Sequence, residues 1–267
     1  MTPEAAERLG RFFAEFAQSG APLLLLDYDG TLAPFRVDRF KARPWAGVRE
    51  LLGQIRSRTR THVALISGRP AGEVAQLLGL EPAPDIWGLH GAEHLHPDGR
   101  REQEAIPVLT QARLDGAREQ LRRDSFGGLL EEKPNAVVMH WRGVPPRQAE
   151  EIEARTRALF EPLAQGDGLT LLKFEAGIEL RAGRDKGGAV RAILQAASAG
   201  ALFSAPVAFL GDDITDESAF RAVNALSGPH FTALVRREQR PTAADVWLRP
   251  PRELLDFLRK WLEAASA

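Results

Sequence analysis

Three short apolar runs, each ending on polar residues, narrow the fold more than any other feature of this chain. Residues 22–28 read PLLLLDY, 62–68 read HVALISG and 207–213 read VAFLGDD. None alternates apolar with polar residues, and none reaches ordinary helix length. That is the pattern of a strand buried on both faces. Segments with helical periodicity lie between and after them, at 45–58, 71–80, 189–199, 216–226 and 251–265. Residues 85–96 read as a strand or two near a turn, and FTALVR at 231–236 adds another strand. Strand–helix alternation of this kind predicts an α/β chain, with a parallel sheet covered on both sides.

The middle of the chain follows another rule. Residues 107–124 form a charged helical stretch, and 127–142 hold two strand-like runs meeting at Pro134-Asn135, which is turn chemistry. Residues 146–163 are helical, and 169–181 look like a second hairpin around Ala176-Gly177. Helix, hairpin, helix, hairpin predicts a small antiparallel sheet with two helices, set into the α/β core.

Composition removes several classes of function. The formal charge of −1 argues against a general polyanion or nucleic-acid binder. With no cysteine there is no disulfide, thiolate nucleophile or Cys-based zinc site. Residues 1–16 are charged throughout and read as an amphipathic helix, without the apolar centre of a signal peptide. No apolar run approaches the ~18 residues that span a bilayer. A soluble, cytoplasmic protein with no membrane partner is expected.

The ends of the apolar runs carry the chemistry. Asp27 and Asp29 close the first, two residues apart and so on one side of an extended chain. Ligands of open α/β sheets bind at the carboxyl ends of the strands. Taken alone, Asp-Tyr-Asp-Gly also reads as a turn. Ser67-Gly68 closes the second run ahead of a helix, where a hydroxyl and N–H groups suit a phosphate, although serine there is equally an N-cap. Asp212, Asp213 and Asp216 close the third, a set suited to a hard divalent cation such as Mg2+. One of them can cap a helix, but capping does not need three. Lys186 is one of only five lysines, and it stands before a helix, where a cation is unfavourable unless an anion is near.

DYDGT, SGR, DKG and GDDITDE resemble the four signature motifs of the haloacid-dehalogenase (HAD) superfamily of phosphatases. LDYDGTLAPF, LISGRP, GLHGAE, EEK with HWR, and GDDITDESAF together resemble the trehalose-6-phosphate phosphatase family. The resemblance implies a HAD-like Rossmannoid core over 1–103 and 183–267, with an inserted α+β cap domain of the C2 type over 104–182. It implies Mg2+-dependent hydrolysis of trehalose 6-phosphate through an aspartyl-phosphate. Asp27 is then the nucleophile and Asp29 the general acid and base. Asp27, the Asp29 carbonyl and Asp212 would hold Mg2+, with Asp213 and Asp216 ligating through water or bracing the ligands. Ser67 would hydrogen-bond the phosphoryl oxygens, with Gly68 and Arg69 beside it, and Lys186 would pair with Asp27 and the phosphate.

The same resemblance places the sugar on the cap. Glu131 and Lys133 match a Glu-x-Lys motif, and Glu179 matches the acid of a Lys-x-x-x-Glu motif whose lysine position is Glu175 here. Lys173 replaces that lysine only if the hairpin loop is the three residues 175–177; with a two-residue loop it faces away from Glu179. Arg142 is a candidate contact from the cap, and His90 with Glu93 matches a motif near the core–cap junction. A metal reading of His90, His94 and His96 is rejected, because no zinc motif surrounds them. The alternatives are a phosphatase for sucrose 6-phosphate or a glycosyl-3-phosphoglycerate, phosphoryl transfer to another acceptor, and a silent sugar-phosphate-binding regulatory domain. The expected partner is a small sugar phosphate. The protein is expected to be a monomer, and the resemblance raises a functional link to a trehalose-6-phosphate synthase.

Overall fold

A computed structural model describes residues 2–16, 21–36, 38–123, 127–166, 168–174, 176–198 and 204–266. The chain divides into two compact units, Met1–Glu102 with Arg184–Ala267, and Gln103–Gly183.

The first unit opens with α1 (Pro3–Ala14), β1 (Leu23–Leu26), α2 (Val48–Arg58), β2 (His62–Ile66), α3 (Ala71–Leu78), β3 (Asp85–Gly88), β4 (Glu93–Leu95) and β5 (Arg101–Gln103). The second unit holds α4 (Val108–Arg122), β6 (Leu130–Lys133), β7 (Ala136–His140), α5 (Pro146–Ala164), β8 (Leu169–Phe174) and β9 (Gly177–Ala182). The chain then returns to the first unit with α6 (Lys186–Ser198), β10 (Val207–Gly211), α7 (Glu217–Asn224), β11 (His230–Val235), β12 (Val246–Leu248) and α8 (Arg252–Ser266).

Eight strands form the large sheet, in the order β12-β11-β10-β1-β2-β3-β4-β5. β1 is central and parallel to both β2 and β10. Its four leucines are at most 2% exposed, because the two faces lie in separate cores. Leu24 and Leu26 pack with Phe12 of α1, Leu52 of α2 and Trp261 of α8. Leu23 and Leu25 pack with Ile193 of α6, Phe209 of β10 and Phe220 of α7. Burying each leucine is worth about 1.5–3 kcal/mol. This is why an unbroken apolar run forms the middle strand: a polar residue on either face would lie in a core.

The smaller sheet runs β6-β7-β9-β8, with every neighbouring pair antiparallel. Val137 and Met139 of β7 and Ile178 and Leu180 of β9 pack on Leu114 and Leu121 of α4 and Ile152 and Phe160 of α5. The alternate positions Glu131, Lys133, Glu179 and Arg181 therefore share the opposite face, which gives one face to helices and one to polar chemistry. Among the described residues, no helix is long and apolar enough to cross a membrane.

Candidate active site

β1, β2 and β10 deliver their polar endings to one edge of the large sheet. The Asp27 N–H donates to the Leu210 carbonyl at 2.8 Å, so parallel pairing continues one residue past β1 and fixes where the Asp27 side chain emerges. The chain then turns back at once: the N–H groups of Leu32 and Ala33 both donate to the Tyr28 carbonyl. That turn brings the Thr31 hydroxyl to Asp27 Oδ2, donating at 2.9 Å. Gly30 sits at φ 80°, and a Cβ there would lie 2.1 Å from Asp212 Oδ2, so only glycine lets this turn approach the β10 acids.

Lys186, the first residue of α6, is 2% exposed and donates through Nζ to Asp27 Oδ1 and to Asp216 Oδ1, both at 2.7 Å. Asp216 Oδ2 in turn accepts the N–H groups of Asp212 and Asp213, each at 3.0 Å. Asp216 thus braces the loop as well as carrying charge. The unfavourable place of a lysine at a helix start is explained by these two carboxylates.

Asp27, Asp212 and Asp216 can each offer a ligand oxygen within 4.8 Å of the others, and all three are buried. Burial pushes the Asp27 carboxyl up to about 7; Lys186 opposes this, while Asp216 and Asp29 add to it. Burial also raises Asp212, reinforced by Asp27, Asp216 and Asp213. The Lys186 ammonium is opposed by burial, but Asp216 and Asp27 outweigh this and hold it protonated. Three buried carboxylates against one ammonium leave an excess of negative charge, and all the donors are hard oxygens. This donor set fits a divalent cation. The Asp213 carboxylate is not in that group; Asp213 takes part through its N–H.

Asp29 points elsewhere. Its carboxylate accepts from Arg69 Nε at 2.5 Å and Nη2 at 2.7 Å, a bidentate fork. Arg69 Nη1 also donates to the Arg39 carbonyl at 2.9 Å and to Glu73, and Glu73 is gripped by the Arg39 guanidinium. Strand alternation places Asp29 beside Asp27, but the turn and Arg69 set its direction. Ser67 is 1% exposed, and its Oγ accepts the Arg69 N–H at 3.2 Å. The N-cap position of α3 is Pro70, so Ser67 is not that cap. Gly68 lies against the His90 ring, where a Cβ would be 2.8 Å from Cε1 and Nε2. His90 and Leu89 both have positive φ, and the His90 N–H donates to the Ser67 carbonyl at 2.8 Å. Glu93 accepts the Ala71 N–H at 2.8 Å, at the start of α3.

In the second unit, Lys133 Nζ donates to Glu179 Oε1 at 3.1 Å on the polar face of the small sheet. Glu131 Oε2 meets His140 Nε2 at 2.8 Å on the same face. Arg142 lies two residues beyond the end of β7, at the opposite end of that strand from Lys133's partner Ala136. The register decides against Lys173 as a replacement lysine. Phe174 pairs with Gly177, Lys173 with Ile178 and Leu172 with Glu179, so the loop is two residues long and Lys173 faces the helices. There it donates to Glu153 of α5 at 2.5 Å. Glu175 lies outside the described residues.

Sequence reasoning did not assign Thr31, Arg39 or Glu73. Thr31 stands in a motif already quoted, and the return of the chain after Asp-x-Asp-Gly was the available signal. Arg39 and Glu73 carried none, because only the tertiary fold brings them to Arg69. The three histidines, whose joint metal reading the sequence does not support, lie apart: His90 lies by Gly68, while His94 and His96 meet Glu102, a residue the sequence does not bring to them.

The trehalose-phosphatase family model matches residues 25–251. A trehalose-phosphate phosphatase of Mycobacterium marinum is 35% identical over 96% of this chain, and one of Mycobacterium tuberculosis is 34% identical over the same share. The chain spans 64% of the length of these relatives. Among solved structures, the C-terminal domain of a Candida albicans trehalose-6-phosphate phosphatase superposes with TM-score 0.78 at 20% identity, covering 96% of each chain. The C-terminal domain of a trehalose synthase regulatory protein from the same organism superposes with TM-score 0.76 at 15% identity, covering 94% of this chain and 97% of that one. These two likenesses show the α/β fold alone, and that fold occurs in a protein titled regulatory as well as in one titled phosphatase. The family match over residues 25–251 and the relatives at one-third identity show that this chain belongs to the trehalose-phosphatase family.

Proposed function

We propose that the chain is a phosphoric monoester hydrolase that cleaves trehalose 6-phosphate to trehalose and phosphate. The observation that carries this reading is the bonded set Asp27–Lys186–Asp216 with Asp212, at the carboxyl edge of the sheet, in a chain of this family. A silent binding domain has no need of three buried like charges, which are costly to keep together.

The reaction proceeds in two halves. An Asp27 oxygen attacks phosphorus, the bond from phosphorus to the sugar oxygen breaks, and Asp29 gives its proton to the leaving oxygen. A water then attacks the aspartyl-phosphate, Asp29 takes its proton, and Asp27 and phosphate are released. Lys186 and Thr31 hold the Asp27 carboxylate in one orientation throughout, each on its own oxygen. Lys186 also offsets the charge of the transferred group. For Asp29 to act as acid, Arg69 must release one of its oxygens, so Arg69 acts as a positioning residue for Asp29. Mg2+ is the divalent cation proposed; the Asp27 and Asp212 carboxylates and the Asp29 carbonyl would hold it, with Asp213 and Asp216 bracing them or ligating through water, and when bound it would neutralise charge on the phosphoryl oxygens. Ser67 and Gly68 would bind the phosphoryl group.

The second unit is read as the substrate-selecting cap. Its Lys133–Glu179 pair and Glu131 would hydrogen-bond the sugar hydroxyls, with Arg142 a further contact. We read the protein as a cytoplasmic monomer that consumes the product of a trehalose-6-phosphate synthase.

The test is phosphate release with Mg2+ from trehalose 6-phosphate, sucrose 6-phosphate, glucose 6-phosphate and glucosyl-3-phosphoglycerate. A preference in kcat/KM of about a hundredfold for trehalose 6-phosphate is expected, near the top of the 1–3 kcal/mol that a few hydroxyl contacts confer. A flat profile would leave the phosphatase chemistry and remove the substrate. Chelation by EDTA should abolish release and Mg2+ restore it; release in EDTA would contradict the metal assignment.

A further inference from the structure

The opposite edge of the large sheet holds a polar cluster that the phosphatase reading does not use. It lies at the amino ends of β2 and β3, about 15 Å from the Asp27 edge at the rise of an extended strand. His94 of β4 is cross-strand from Trp87 of β3, and His96 follows it two residues on, so both rings project from the same face. The backbone turns at residues 96–100, with the His96 N–H donating to the Arg100 carbonyl at 2.9 Å, and this brings Glu102 of β5 over the two histidines. His96 Nε2 stands 3.2 Å from Glu102 Oε1, and His94 Nδ1 stands 4.0 Å from Glu102 Oε2. His96 Nε2 is buried and makes no hydrogen bond.

The 3.2 Å separation is close to the edge of a tetrahedron whose ligands lie 2.0–2.1 Å from a zinc ion, roughly 3.3 Å, whereas the 4.0 Å separation is longer, so a bound cation draws His94 and Glu102 together. The His94 ring is held between Trp87 and His96, with the His96 ring centroid 3.7 Å away at 39°, so a shared cation needs the His96 ring to turn off this stack. His94 Nε2 is bonded to Asp85 Oδ1, and Trp87 stacks on the His94 ring at 4.0 Å and 19°. Asp85 Oδ2 is held by His62 Nε2 at 2.9 Å. A carboxylate on one ring nitrogen leaves the other to face the metal, the arrangement that orients histidine ligands in zinc proteins.

We propose that His94, His96 and Glu102 form a second metal site, for a zinc-class transition metal, that ties β5 to β4 within the hairpin. Two imidazoles and one carboxylate suit Zn2+, Co2+ or Ni2+ rather than Mg2+. Three protein ligands leave a fourth position for water. Arg100 is the competitor. It bonds Glu102, and its Nη2 lies 3.2 Å from His96 Nδ1. Its side chain is 57% exposed, so it can swing into solvent when a cation takes Glu102.

The test is binding of Zn2+ to the full chain by calorimetry in a large excess of Mg2+, which occupies the acidic site, with Co2+ as the spectroscopic probe. The wild type should take up one equivalent of Zn2+, and Co2+ should give the visible absorption of a tetrahedral site. His96→Ala and Glu102→Gln should each weaken uptake by roughly a hundredfold or more, since loss of a partner that only orients a ligand already costs about 10–100-fold. Glu102 is half exposed, so its variant tests the site without endangering the fold. Arg100→Ala should bind more tightly than wild type, because it removes the competing cation. No uptake by the wild type, uptake unchanged in both ligand variants, or an Arg100→Ala no tighter than wild type would each overturn the assignment. Phosphate release without added zinc should be unchanged in all three variants, so this result stands apart from the phosphatase reading.

Discussion

The two polar surfaces of this chain are built differently, and the difference explains how far each is legible. At the carboxyl edge of the large sheet the polar residues are tied to the backbone that carries them. Asp27 is held by strand pairing, and the N–H groups of Asp212 and Asp213 are held by Asp216. On the small sheet the polar residues hang from alternation alone, so a shift of register by one residue exchanges the two faces. A substitution in the first region should therefore end the chemistry, whereas one in the second should change only the choice of sugar.

Asp27→Asn sharpens that contrast most. It should abolish phosphate release while leaving the thermal transition in place; measurable turnover would remove Asp27 as nucleophile. Lys186→Met comes next, because it leaves Asp27 and Asp216 as buried carboxylates without their ammonium. Breaking a buried pair in this way costs about 3–5 kcal/mol, so the variant should unfold at clearly lower denaturant as well as lose turnover. A stable, active Lys186→Met would contradict the ion-pair geometry.

Lys133→Ala should have a middle effect. It should raise KM for trehalose 6-phosphate by about tenfold, the worth of one charged hydrogen bond, and leave kcat on a small generic phosphate ester within about twofold. Equal losses on both substrates would move Lys133 out of sugar selection. Lys173→Ala should do least. Its partner is Glu153 on α5, an exposed ion pair worth under about 1 kcal/mol, so KM should stay within about twofold. A large rise in KM would show that the register places Lys173 wrongly.

The core was legible because its signals are local. An apolar run, an acid at its end and a glycine after it lie within a few residues, and covalent geometry does the rest. The direction of Asp29 was not legible, since Arg69 is forty residues away in sequence. β5 escaped notice because Arg-Glu-Gln has no strand character of its own; its neighbours in the sheet impose it. The same gap hid the third member of the histidine cluster. The spacing of His94 and His96 shows a shared face, but only the hairpin brings Glu102 to them. Lys173 shows the limit from the other side: both loop lengths were open, and a two-residue loop turned its side chain to the helices.

Asp27 as nucleophile is tested by mass spectrometry of the protein mixed with trehalose 6-phosphate and Mg2+ and quenched in acid. One added phosphoryl group is expected on the peptide that contains Asp27, and none in Asp27→Asn. A phosphoryl group on any other residue, or none during active turnover, would contradict the assignment of Asp27 on which the mechanism rests.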